Sequence, residues 1–188
     1  MDVLFINPGN ASGIYQELSN EYSAIEPPTW SLLLAQSCRD IGYKVGILDA
    51  SAEKLSHQEV VDRISKLQPR LICFVVYGQN VNAGTASMAG AVSLSNYIKK
   101  ANVKAPLSYV GSHIQALPVK TMQEEPSIDF GFTNEGVYAL RNVLALEKIN
   151  INDMSNVKGI VWRDGNKIKL NVSERIVPND RMDVDLPG

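Results

Sequence analysis

Residues 56–76 read SHQEVVDRISKLQPRLICFVV, and this stretch decides the fold class. Ser56 followed by Glu59 is a capping box: the Ser56 hydroxyl accepts from the Glu59 backbone amide while the Glu59 carboxylate reaches back. Val60, Val61, Ile64 and Leu67 then recur at helical spacing, Pro69 ends the helix, and residues 71–76 follow as an unbroken apolar run. A strand that is apolar without alternation is covered on both faces, the condition of a parallel sheet with helices on either side. Residues 71–76 are the most hydrophobic strand and the expected centre of the sheet.

The same rhythm of strand, turn and helix extends in both directions. Residues 3–7 form the first strand, which stops at Pro8-Gly9, and a polar loop follows. Pro27-Pro28 opens a helix with Trp30, Leu33, Leu34, Cys38 and Ile41 on one stripe, Gly42 closes it, and residues 45–48 are the second strand. Beyond the centre, residues 82–100 are helical and rich in Ala, Ser and Gly, suited to tight packing on the sheet or to leaving room for a ligand. Residues 107–111 and 130–133 are the fourth and fifth strands, each followed by a helix, over 118–124 and 136–146. The expectation is a flavodoxin-like (Rossmann-like), doubly wound five-stranded parallel α/β sheet in the order 2-1-3-4-5, occupying residues 1–147. Residues 148–188 carry a C-terminal β-hairpin extension around Asp164-Gly165, then an aperiodic acidic run that reads as a linker.

Charge narrows the function. The 18 Lys+Arg and 20 Asp+Glu give a net charge of -2 without any block of one sign, so neither nucleic acid nor an anionic membrane is an expected partner. No run approaches the ~20 apolar residues of a membrane span, and the N-terminus lacks a basic region before its short apolar run. A cytoplasmic protein is expected, with Cys38 and Cys73 as buried free thiols.

In a sheet of this kind ligands bind over the carboxyl ends of the strands. The candidate cofactor-binding residues are therefore Asn7, Pro8 and Gly9; Tyr77, Gly78, Gln79 and Asn80; Gly111, Ser112 and His113; and Asn134, Glu135 and Gly136, with the Asp49-Ala50-Ser51 loop on the same rim. No Gly-x-x-x-x-Gly-Lys-Ser/Thr occurs and no Gly-x-Gly-x-x-Gly follows a strand, so kinase-like and NAD-type cradles are excluded. Backbone amides of residues 7–13 could cup an anion. Of the two histidines, His57 belongs to a helix start and His113 to the rim; neither has a Ser-His-Asp setting, and no catalytic residue is assigned. Glu135 suits a ligand contact or a simple acid at a helix start.

Several segments in order carry a resemblance: Phe5-Ile6-Asn7-Pro8, Glu26-Pro27-Pro28, Gly42-Tyr43-Lys44-Val45 with Leu48-Asp49-Ala50, Val110-Gly111-Ser112-His113 with Ala116-Leu117-Pro118, Ile128-Asp129-Phe130 with Glu135-Gly136, and Lys158-Gly159-Ile160-Val161 with Arg163-Asp164-Gly165. Together they resemble the N-terminal cobalamin-binding domain of cobalamin-dependent radical S-adenosylmethionine enzymes. The resemblance implies a domain that holds the nucleotide tail of cobalamin at the strand ends and is not catalytic alone, in a parent enzyme that transfers methyl groups or modifies carbon skeletons. It also implies a following radical S-adenosylmethionine domain, to which residues 183–187 would lead. The iron–sulfur cluster and S-adenosylmethionine would belong to that absent domain, since two lone cysteines cannot form Cys-x-x-x-Cys-x-x-Cys. Older cobalamin domains carry Asp-x-His-x-x-Gly after the first strand; residues 7–13 contain no His, so cobalamin is expected base-off without a protein His on cobalt. The family's Ser in the third strand is Val75 here, its Gly-Gly in the fourth is Val110-Gly111, and its Gly-Glu-Gly-Glu near the fifth is Asn134-Glu135-Gly136-Val137. The rival reading is a degenerate flavodoxin-like module that docks a partner domain or substrate and binds no cofactor.

Overall fold

The computed structural model describes residues 1–8, 27–77, 81–150 and 152–187, the side chains of 81–86 excepted. The candidates Gly9, Gly78, Gln79 and Asn80 and most of the 7–13 loop lie outside the described residues.

Strand β1 (Val3–Asn7) pairs in parallel with β2 (Val45–Asp49) on one side and β3 (Leu71–Val76) on the other. β3 pairs in parallel with β4 (Leu107–Gly111), and β4 with β5 (Phe130–Phe132). The order 2-1-3-4-5 expected from right-handed crossovers is the order observed. The hairpin of β6 (Ile160–Asp164) and β7 (Lys167–Leu170) adds antiparallel beyond β5, completing a seven-stranded sheet. A two-stranded ribbon is marginal in water, and pairing with β5 supplies the missing neighbour.

The strands' alternation sorts the core into two layers. Val3, Phe5, Cys73, Val75, Val110, Phe130 and Phe132 meet α1 (Thr29–Arg39) and α6 (Val137–Ala145) on one face. Leu4, Ile6, Ile72, Phe74, Val76 and Tyr109 meet α2 (His57–Leu67) and α3 (Val81–Lys100) on the other. All six residues of β3 are buried, as expected of the central strand. The Ser56–Glu59 capping box forms, with the Ser56 amide donating to Glu59 at 2.8 Å and the Glu59 amide to Ser56 Oγ at 3.3 Å. Such a cap contributes about 1 kcal/mol.

Four local readings differ. Ile41 and Leu67, expected to face inward, are 49% and 38% exposed, because Ile41 falls past the end of α1 and Leu67 is the last residue of α2. The chain enters α4 (Ser112–Ala116) directly after β4, before α5 (Pro118–Glu124). The hairpin turn is Gly165-Asn166 rather than Asp164-Gly165: Asp164 still pairs with Lys167 and its carboxylate meets Lys169 Nζ at 2.5 Å.

The acidic C-terminal run, aperiodic in sequence, folds back onto the sheet's helices. It ends in a turn, Asn179–Arg181, and a short helix, α7 (Met182–Asp185), with Val177, Asp185 and Leu186 buried. Among the described residues no helix is long and apolar enough to cross a membrane.

Candidate functional site

The chain leaves β1 toward β2 on one side and continues through β3 to β4 on the other, so the strand order reverses between β1 and β3. Helices diverge at such a switch point and leave a crevice above the carboxyl ends. Asn7 and Pro8 form one lip and Tyr77, the residue after β3, forms the other.

Asn7 is fixed by its neighbours. Its Nδ2 donates to Asp49 Oδ1 at 2.9 Å, the same oxygen accepts from the Ala52 amide at 2.9 Å, and the Asn7 carbonyl accepts from the Ala50 amide at 3.1 Å. The Asp49-Ala50-Ser51 loop is thereby tied to β1. Tyr77 is half-buried and stacks on Trp30 of α1 with ring centroids 4.5 Å apart and planes 22° apart. Gln115 Nε2 donates to its hydroxyl. Burial raises the Tyr77 phenol above its ordinary pKa, and the Glu135 carboxylate adds to the shift, so the group is neutral across the physiological range. Tyr77 is thus a packed bridge between α1 and α4.

Gly111 also takes a different role from the one its sequence suggests. Its φ of +154° and ψ of 172° belong to a region open essentially to glycine. A Cβ there would stand 2.1 Å from the Val76 carbonyl oxygen, inside the backbone of β3, and not in the crevice above it. A side chain at Gly111, one of the candidate cofactor-binding positions, would therefore strike β3 before it reached any ligand. The glycine lets β4 turn at once into α4, where Ser112 and His113 occupy the first turn, both half-buried.

On the β5 side, Gly136 precedes α6 with φ +88°, and a Cβ there would lie 2.9 Å from Val110 Cγ2. Val110 and Val75, paired in register, are both buried on the α1/α6 face. Asn134 and Glu135 are engaged with the chain's own tail. Asn134 Nδ2 donates to the Glu174 carbonyl at 3.1 Å, its Oδ1 accepts from the Gly136 amide at 3.0 Å, and Glu135 Oε1 accepts from the Val177 amide at 2.8 Å. The structure thus gathers Asn7, Pro8 and Tyr77 at the switch point and Gly111 to His113 beside them, while Asn134 and Glu135 anchor the returning tail.

Two features of α1 were not singled out from sequence. Its start carries no side-chain cap and no acidic residue in its first turn. Ser31 in that turn is 1% exposed, and among the described residues its hydroxyl has no hydrogen-bond partner. Only the three-dimensional placement of α1 distinguishes this serine from an ordinary helix residue.

Away from the crevice, a recess of about 220 Å³ opens at the amino ends of β4 and β5, lined by Lys99, Lys104, Asp129 and Ile149 among others. Its carboxylate is committed: Asp129 accepts from Lys99 Nζ at 2.8 and 3.0 Å and from the Leu107 amide at 2.8 Å. Among the described residues no three His, Cys, Asp or Glu side chains gather as a metal-ligating group.

The model of the B12 binding domain family matches residues 18–144, well over half of the chain. No curated protein matches. Among solved structures, the radical S-adenosylmethionine methyltransferase TsrM from Kitasatospora setae, with tryptophan substrate and a S-adenosylmethionine analogue bound, is similar at a TM-score of 0.66 and 15% identity. The match covers 90% of this chain and 30% of TsrM. The cobalamin-dependent S-adenosylmethionine radical enzyme OxsB, with aqua-cobalamin and S-adenosylmethionine bound, is similar at a TM-score of 0.63 and 17% identity, over 93% of this chain and 22% of OxsB. The chain therefore spans less than a third of the length of either enzyme, and the likeness at this identity is one of fold.

Proposed function

The chain belongs to the B12 binding domain family, and on that premise we propose that it holds cobalamin over the carboxyl ends of β1, β3 and β4 for a radical S-adenosylmethionine domain of the same protein. The observation that carries this reading is the family match across the β/α core that builds the switch-point crevice. The residues present suit the group: the start of α1, which carries no side-chain cap among the described residues, is held by the Trp30–Tyr77 stack at the exit of β3 and favours a polar or anionic occupant. Asn7, Pro8, Tyr77, Ser112 and His113 would line the cofactor. When bound, cobalamin supplies a cobalt centre that can carry a methyl group or exchange electrons.

The protein's part is positional. The Asn7–Asp49 hydrogen bond and the Trp30–Tyr77 stack hold the two lips in fixed places, so the crevice is organised before the ligand arrives. The proposed state is base-off with no protein His on cobalt, since the first loop has no histidine. Methyl transfer or carbon-skeleton modification would then fall to the radical domain, which would also hold the iron–sulfur cluster and S-adenosylmethionine.

One observation favours the rival docking module: Val110 packs against Gly136 and occupies space between β4 and the start of α6. An absorption titration of the purified protein with hydroxocobalamin separates the two. Saturable binding with a base-off spectrum is expected, and no binding at high micromolar cobalamin would favour the cofactor-free module.

A further inference from the structure

Helix α1 carries one wall of the crevice, since Trp30 near its start stacks on Tyr77, the lip at the exit of β3. The other end of α1 is tied to a different part of the fold. Ser37 there is 1% exposed and is gripped by Arg141 of α6, whose Nε donates to Ser37 Oγ at 3.2 Å and whose Nη2 donates to the Ser37 carbonyl at 3.0 Å. The same guanidinium donates to Asp185, from Nη1 to Oδ1 at 2.9 Å and from Nη2 to the carbonyl at 3.1 Å. The side chains of Arg141 and Asp185 are 13% and 9% exposed. Loss of Asp185 would leave a guanidinium without its carboxylate where water reaches it poorly.

Asp185 belongs to the C-terminal strap, residues 171–187, and the strap also reaches the rim of the crevice. Just past the end of β5, Asn134 Nδ2 donates to the Glu174 carbonyl at 3.1 Å and Glu135 Oε1 accepts from the Val177 amide at 2.8 Å. The Glu135 carboxylate is near enough to Tyr77 to raise its phenol. Val177 and Leu186 are buried in the layer that holds Leu34, Ala35 and Cys38 of α1. These contacts close a ring. It runs from α1 through Trp30 to Tyr77, past Glu135 to the strap, and through Asp185 and Arg141 back to α1. A wall already held in place has little freedom to lose when a ligand seats against it. Release of the strap frees the far end of α1, and the ligand must then order the wall itself.

We propose that Arg141 and Asp185 are positioning residues for the crevice: the docked strap holds α1 in place, so that strap docking and ligand binding strengthen each other. The identity of the ligand rests on the cobalamin reading above. Two states are involved, strap docked and strap released, and α1 is the element that both sites bias. By linkage, whatever factor the docked strap adds to ligand affinity, the bound ligand adds to strap docking. Tyr138 Oη and Arg181 Nε complete the seat of Asp185, donating to Oδ2 at 2.7 and 3.0 Å. Among the described residues neither side chain hydrogen-bonds to α1, so the coupling passes through Arg141.

The test measures hydrogen exchange by segment in the parent chain and in Asp185→Ala, each with and without hydroxocobalamin, together with the affinity of each for hydroxocobalamin. In ligand-free Asp185→Ala, exchange is expected to quicken at residues 174–187 and also at 29–39, with residues 71–76 of β3 as protected as in the parent. Cobalamin affinity should fall about fivefold, the low end of ordinary coupling between sites. Saturating cobalamin should slow exchange at 174–187 of the parent by the same factor, and not in the variant. A strap that opens while α1 exchange and cobalamin affinity keep their parent values would overturn the inference and leave the cobalamin reading standing. Protection lost at 71–76 in step with the strap would overturn it too, by giving Asp185 a role in global stability alone. Unaltered strap exchange on saturation of the parent decides against the coupling without any variant. Absence of cobalamin binding to the parent would overturn the cobalamin reading and the coupling with it, while quickened exchange at 29–39 in the ligand-free variant would still show that the strap holds α1.

Discussion

The carbonyl oxygen of Val76 stands 2.1 Å from the position a Cβ on Gly111 would take, so the end of β4 is pressed against the end of β3 by the absence of a side chain. The contact is backbone to backbone and cannot be relieved by a rotamer change. Gly111→Ala is expected to destabilise the fold by about 3 kcal/mol, through steric overlap and a φ that alanine avoids. For a chain of this size that lowers Tm by about 6–12 °C. Calorimetric scans would check it; a midpoint within about 1 °C of the parent's would contradict the assigned geometry.

This glycine also shows where the sequence stops being legible. Gly111 is visibly a position that needs closeness, but the string of letters does not say what comes close; a ligand was the natural candidate and a neighbouring strand is the answer. Local features were readable because their causes are local: the Ser56–Glu59 box spans three residues, and β3 declares itself by composition. The order of the parallel strands followed from handedness. What escaped depends on contacts between distant segments. Asn134 and Glu135 meet residues some forty positions onward, and the Ser31 hydroxyl, without a partner among the described residues, becomes notable only once α1 is seated beside Tyr77.

The C-terminal run gives a second prediction, because an acidic aperiodic segment proves to be clasped by side chains no local pattern reveals. Asp185 accepts from Arg181 Nε at 3.0 Å, Tyr138 Oη at 2.7 Å and Arg141 Nη1 at 2.9 Å. Arg141 also reaches the Ser37 carbonyl at 3.0 Å, so one guanidinium joins α1, α6 and the tail. Arg141→Met should leave Asp185 with Arg181 as its remaining guanidinium partner, free the Ser37 carbonyl, and cost about 1–2 kcal/mol. Limited proteolysis should then cut within residues 174–187 much faster than in the parent. Equal cleavage rates would show that the clasp contributes little.

The same clasp has a pH dependence of determined sign. The hydrogen bond from Arg181, followed by those from Tyr138 and Arg141, holds the Asp185 carboxyl well below the usual carboxylate range. A group whose folded pKa is depressed stabilises the fold above its unfolded value, about 4, and that contribution is lost as pH falls toward the folded value. Tail docking should therefore be constant from neutral pH down to about pH 4 and weaken on further acidification. Hydrogen exchange at residues 177–187 would report it. Asp185→Asn should remove that acid dependence; an unchanged profile in the variant would assign it to another group.

The two thiols give a fourth prediction. Burial pushes Cys38 up to about 12 and Cys73 up to about 12, so neither carries thiolate at neutral pH. An aromatic disulfide reagent should leave both unmodified in the folded protein and modify both in guanidinium, with the native-state rate following global opening. Rapid modification of either under native conditions would mean that the α1 face opens locally.

The last prediction concerns the metal centre of the proposed cofactor. His113 is the histidine on the crevice side, half-buried in the first turn of α4, two residues past the end of β4. His57 is elsewhere, its ring tilted against Tyr97 at 5.3 Å in the contact between α2 and α3. If cobalt is held without an imidazole from the protein, His113→Ala should leave the absorption spectrum of bound cobalamin unaltered and lower affinity by no more than the few-fold expected of one contact at the edge of a ligand. The control is Asp164→Ala in the hairpin, four strands from the switch point, which should change neither affinity nor spectrum. Electron paramagnetic resonance of the reduced cobalt gives the decisive measurement, because an axial nitrogen splits the signal and an oxygen ligand does not. Nitrogen splitting present in the parent and lost in His113→Ala would place the imidazole on cobalt and refute the base-off state without protein His. A signal without that splitting in both proteins would support it.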